Sequence, residues 1–206
     1  MIVVKSIYTF EDADSKNRML LGGKGAGLSE MTRLKLPVSP GFTITTEVCN
    51  KYYENKKYLP KNLMAEVSQN ISKVEKKTGK KWNSNTDPLL VSVRSGAAIS
   101  MPGMMDTILN LGLNDQTVLG LAKKTNNSRF AWDSYRRFIQ LFGKVVFDVK
   151  DEKFDEILDL TKKKQRVKDD SELDVDSLKD IVTKYKKICR NILNVSFQRV
   201  QTNNYS

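Results

Sequence analysis

Two cationic side chains set among small residues are the places where this sequence is equipped for chemistry. The first is Lys24, inside Gly22-Gly23-Lys24-Gly25-Ala26-Gly27. Glycines let backbone amides approach a ligand, a helix opening there turns its first N–H groups toward an anion, and lysine adds a point charge. The spacing is not that of a Walker A loop, which needs Gly-Lys-Ser/Thr after a four-residue spacer, nor that of a dinucleotide fingerprint. The second is Arg94, which follows Leu89-Leu90-Val91-Ser92-Val93 and precedes Ser95-Gly96-Ala97-Ala98. That apolar run, introduced by Asp87-Pro88, reads as a short buried strand. An arginine at a strand's carboxyl end is a fork-shaped donor where α/β folds hold phosphates. Each cation also has a plainer reading. Lys24 then sits on a structural turn, and Arg94 is buried in a salt bridge to a helix acid.

The elements that must position these residues fall into two textures. Residues 1–113 mix short apolar runs with Gly and Pro punctuation, which predicts an α+β region. Strands are expected at Ile2-Val3-Val4, at Ile7-Tyr8-Thr9-Phe10 and at Phe42-Thr43-Ile44-Thr45. Leu28, Met31 and Leu34 fall on one face of a short helix starting at the glycine cluster. A further helix is capped by Thr45 or Thr46, with Glu47 in its first turn. Pro60 opens a longer one with Leu63, Val67, Ile71 and Val74 in one stripe, stopped at Gly79. Met104, Met105, Ile108 and Leu111 have the spacing of a helix after the loop.

Residues 114–206 contain no proline and only two glycines, Gly120 and Gly143. Helices are expected from an Asn114 or Asp115 cap through Ala122, over 129–147, over Asp151–Lys164, and from near Asp174 with Leu178, Ile181, Tyr185, Ile188 and Ile192 in register. After 193 the apolar stripe is lost. The expected organisation is therefore 1–113, 114–193 and an irregular tail over 194–206.

Composition narrows the function. The chain has no histidine, which excludes His-based acid–base work, His metal ligation and a phosphohistidine on these residues. Cys49 and Cys189 are isolated and lack zinc-type spacing, as reduced thiols of a cytoplasmic protein would be. No run of 18 apolar residues is present, so no membrane span is expected. The net charge of +11 is split almost evenly, +6 over residues 1–110 and +5 over 111–206, and its lysines are interleaved with acids. That spread argues against a nucleic-acid binder, which concentrates its charge, while still favouring anionic ligands.

The wording of several segments goes further. Leu21-Gly22-Gly23-Lys24-Gly25-Ala26-Gly27-Leu28, the run from Leu36 to Thr46, Val91-Ser92-Val93-Arg94-Ser95-Gly96, the string from Ser100-Met101-Pro102-Gly103 through Asp115, and Arg129 to Phe138 together resemble the N-terminal nucleotide-binding region of the pyruvate, phosphate dikinase family. Phosphoenolpyruvate synthases share a VRSS-type strand end but not the MPGMMDTILNLGLN string. The resemblance covers roughly residues 7–150 and loosely 151–190.

It implies the N-terminal half of an ATP-grasp-like domain followed by a helical lobe. It implies that Lys24 and Arg94 contact ATP phosphates, that 100–107 is a lid whose Gly103 and Met105 offer amides and whose Thr107 offers a hydroxyl, and that Arg137 lines the nucleotide cleft. Family members convert ATP, phosphate and pyruvate to AMP, diphosphate and phosphoenolpyruvate, using Mg²⁺ and a swivelling phosphohistidine domain. The resemblance puts the Mg²⁺ ligands and the adenine pocket mostly beyond residue 206. Asp106 is one isolated acid, and no metal ligand or catalytic residue is assigned here. The tail departs from the family pattern, as in a truncated or split product. The expectation is an ATP-binding part without dikinase turnover of its own. The alternative is a non-catalytic nucleotide-binding or interaction module that pairs with a separately encoded remainder.

Overall fold

The computed structural model describes residues 5–96 and 106–202, the last ten of these as backbone only. Among the described residues it is an α+β chain of seven α-helices and two two-stranded sheets. Two compact units divide the chain, one of residues 1–82 and 94–107, the other of 83–93 and 108–206. The chain thus passes between units at 82/83, 93/94 and 107/108, where the change of texture suggested one boundary at 113/114.

In the first unit, β1 (Ile7–Thr9) pairs antiparallel with β2 (Phe42–Ile44), Ile7 opposite Ile44 and Thr9 opposite Phe42. The helix between them, α1 (Arg18–Arg33), begins upstream of the glycine cluster, with the Asn17 side chain accepting from the Leu20 amide. Its buried face is Leu21, Gly25, Ala26 and Ser29. This corrects the expectation of a Leu28, Met31 and Leu34 face: Met31 and Leu34 are exposed. The reason is proximity. A Cβ on Gly25 would lie 2.7 Å from Thr43 Oγ1, so only small residues let α1 lie this close to β2.

Thr45 follows β2 and heads α2 (Thr46–Glu54), although its side chain makes no cap bond. The helix α3 (Leu63–Thr78) follows Pro60 and stops at Gly79, which adopts φ 72°. Ile7, Val48 and Leu63 form this unit's core, with Phe42 and Val67 against it.

The strand at Arg94 is shorter and more exposed than its apolar run suggests. β3 comprises Val91–Arg94, with Ser92, Val93 and Arg94 exposed; the burial lies earlier, at Leu89. Its partner is β4 (Thr107–Leu111), where a helix was expected. Ile108 is buried and Leu109 exposed, the two-residue alternation of a strand, and Asn110 at φ 57° and Gly112 at φ 115° turn the chain away.

In the second unit, α4 (Thr117–Thr125), α5 (Ser128–Phe147), α6 (Asp151–Gln165) and α7 (Val175–Thr202) pack into a helical bundle. Asn114 leads into α4 by accepting from the Gln116 and Thr117 amides, and Asn127 caps α5 by accepting from Phe130. Phe154 and Tyr185 are fully buried, their rings edge to face at 4.7 Å, and the Tyr185 hydroxyl donates to the Phe154 carbonyl. Burying a ring of that size contributes about 1.5–3 kcal/mol. The helical backbone of α7 continues through Thr202, past residue 193 where an irregular tail was expected.

Candidate functional site

The glycine cluster does not simply open a helix. It interrupts one: Gly22 stands at φ 68° and ψ 165°, outside helical geometry and in a region essentially reserved for glycine. The residues after it start a fresh first turn, whose amides are helix-end donors. Lys24 lies in that turn, half-buried, and among the described residues it has no hydrogen-bond or ion-pair partner. The acid on the same helix is already engaged. Arg33 and Ser15 both bond Glu30 at 2.5 Å, Arg33 chiefly, and they hold its carboxyl down to about 2. Lys24 is left available to an anion.

Arg94 occupies the last position of β3 and is exposed, without an ion-pair partner among the described residues. The reading of a buried salt-bridged arginine is therefore set aside. Immediately after it, the Ser95 amide and hydroxyl both donate to the Asp106 carbonyl, at 3.1 and 3.0 Å. The bonds thus join the residue after β3 to the one before β4. Gly103, Met104 and Met105 lie outside the described residues. Thr107 opens β4, half-buried.

Of the two adjacent arginines in the middle of α5, Arg137 is the exposed one, bonded to Asp133 Oδ2 at 2.9 Å. Its neighbour Arg136 is buried and takes a structural role that the sequence reading missed. Its guanidinium donates to Asp133 Oδ1 at 2.9 and 2.7 Å and to Asp170 at 3.2 Å. Burial pushes the Asp133 carboxyl up, but Arg136 and Arg137 together hold it below the ordinary carboxylate value. The signal in the sequence is the Asp133-x-x-Arg136 spacing, which places both side chains on one helix face.

Among the described residues no three His, Cys, Asp or Glu side chains form a group fit to hold a metal ion. No described helix is long and apolar enough to cross a membrane. An open groove of about 470 Å³ between α6 and α7, lined by Thr161, Lys164, Asp174, Asp180 and Lys184, contains none of the candidate residues. Its mixed charges commit it to no ligand.

The sequence pattern described as "Pyruvate phosphate dikinase, AMP/ATP-binding domain" matches residues 18–63 and 55–138, a span that includes Lys24, Arg94 and Arg137. The α+β fold and the two uncommitted cations accordingly fall in a class of nucleotide-binding domains. The chain belongs to the pyruvate phosphate dikinase AMP/ATP-binding domain family. It is 55% identical to the pyruvate, phosphate dikinase of Entamoeba histolytica over 89% of its length, which is 21% of that relative. Against the Clostridium symbiosum dikinase the identity is 48% over 93% of the chain and 22% of the relative. Against that of Rhizobium meliloti it is 45% over 95% and 22%. The chain thus spans about a fifth of the length of the curated relatives it matches.

Proposed function

We propose that this chain is the ATP-binding part of a cytoplasmic pyruvate, phosphate dikinase-type phosphotransferase, built as the N-terminal half of an ATP-grasp-like domain with a helical lobe. The observation that carries the reading is the uncommitted Lys24 behind the Gly22 break, within the span that the family pattern matches. Lys24 and Arg94 hold phosphoryl oxygens, Arg94 as a two-pronged donor. Gly103 and Met105 contribute amides and Thr107 a hydroxyl from the covering loop, and Arg137 lines the nucleotide cleft. The transferring group spreads negative charge over its oxygens, so fixed cations and amides lower the barrier when they are already in place.

Mg²⁺ supplies part of that positive charge in phosphoryl transfer generally. The described residues do not by themselves form a group fit to hold it. The relatives are named pyruvate, phosphate dikinases, which supports conversion of ATP, phosphate and pyruvate to AMP, diphosphate and phosphoenolpyruvate for the whole protein. With no histidine among its 206 residues, this chain binds and orients nucleotide but carries no phosphohistidine. Dikinase turnover by these residues alone is not expected.

Calorimetric titration of Mg-ATP into the chain, beside Lys24→Ala and Arg94→Ala, tests the reading. Saturable binding that weakens in both variants is expected. Binding that neither substitution affects would overturn it.

A further inference from the structure

The loss of helical geometry at Gly22 has to be held from both sides if Lys24 is to keep one position, and the residues that hold it come from a single segment, Thr43–Thr46. Upstream of the break, the Thr46 hydroxyl donates to the Met19 carbonyl at 2.7 Å, across 27 residues of sequence. Thr46 is the first residue of α2, where a hydroxyl ordinarily serves its own helix end, yet this one reaches into the turn just before Gly22. Downstream, Gly25 packs against Thr43 so closely that an added Cβ would lie 2.7 Å from Oγ1 and 2.9 Å from Cγ2. The Ser29 hydroxyl then donates to the Gly25 carbonyl at 3.0 Å and continues the helix. Lys24 lies between these two anchors and makes no hydrogen bond or ion pair of its own among the described residues.

We infer that Thr46 is a positioning residue for Lys24, its hydroxyl holding the Met19 carbonyl so that the break at Gly22 delivers Lys24 and the amides beside it in one geometry. The inference rests on the proposed role of Lys24 in phosphate binding. Leu21 is buried but Met19 is exposed, so side-chain packing holds only the Gly22 end of this turn, and the Thr46 hydrogen bond ties its Met19 end to α2. Losing the hydroxyl releases the carbonyl and loosens the Met19 end of the turn that leads into Gly22, whose missing side chain resists no rotation.

The test compares Thr46→Val, which keeps the shape and removes the hydroxyl, with Thr46→Ser, which keeps the hydroxyl. Thr46→Ala serves in place of the valine variant if the latter does not fold. Two readouts are taken on the 206-residue chain: the NMR amide positions of Gly22 through Gly25, and the dissociation constant for Mg-ATP. In Thr46→Val the four amides are expected to shift and the affinity to fall by about five-fold, the worth of one hydrogen bond. Thr46→Ser is expected to restore both. Amides or affinity unchanged in Thr46→Val, with the wild type binding normally, would overturn the inference and leave the phosphate reading intact. So would failure of Thr46→Ser to restore them. A wild type that shows no nucleotide-dependent change anywhere would overturn both.

Discussion

Replacing each of two adjacent arginines separates the structural role from the ligand role on α5. Arg136 is 3% exposed and bonded to Asp133, itself 15% exposed, and to Asp170 at 31%. Arg136→Met removes the buried cation that Asp133 and Asp170 share. Breaking a buried pair in this way costs about 3–5 kcal/mol. The lower end applies here, because Asp170 reaches water and Lys162, and Asp133 retains Arg137. For a chain of this size a loss of about 3 kcal/mol lowers Tm by about 6–12 °C.

Arg137 is 63% exposed and, among the described residues, bonded only to Asp133 four residues earlier, so Arg137→Ala costs no more than about 0.5 kcal/mol. In the proposed reading its effect falls on nucleotide affinity instead. Thermal and urea unfolding, followed by far-UV circular dichroism, measure both variants. An Arg136→Met loss below about 1 kcal/mol, or an Arg137→Ala loss equal to it, would refute the burial argument.

Other expected outcomes follow from the same contacts. Gly120→Ala should destabilise by about 1–3 kcal/mol, since the new Cβ would lie 2.6 Å from the Asn85 backbone, which cannot rotate aside. Gly27→Ala meets no atom within 4 Å and should stabilise by up to about 1 kcal/mol, and chemical denaturation distinguishes the two signs. The Asp115 carboxyl is held below its ordinary value of 3.8, chiefly by its hydrogen bond from Lys186. Its contribution is therefore complete above the unfolded value and is lost as pH falls through the lower folded value. Unfolding free energy should fall below about pH 4, and Lys186→Met should reduce that slope; an unchanged slope in the variant would count against the pairing.

Much of the helical region was legible because its signals are local. The stop of α3 at Gly79, the span of α6 and the start of α7 near Asp174 follow from spacing and caps within each segment. What escaped depends on distant partners. Ile108 and Leu111 sit three apart, as on a helix, but pairing with β3 makes Thr107–Leu111 a strand. The face of α1 was misplaced because glycine, alanine and serine carry no apolar signal, and only the closeness of Thr43 explains why they are buried. Arg136 and Arg137 are equal in sequence, and Asp170, 34 residues on, decides which is buried. Lys24 and Arg94 were recognisable from residue type and setting, and that neither pairs with an acid among the described residues emerged only in the fold.

The most direct measurement of the nucleotide-binding claim is an NMR map of amide shifts on adding Mg-ATP to the 206-residue chain. Shifts at Gly22 through Gly25 and at Arg94 through Gly96, absent in Lys24→Ala, are the expected result. Shifts concentrated in the lysine-rich turns of α6, or shifts that survive Lys24→Ala unchanged, would contradict it.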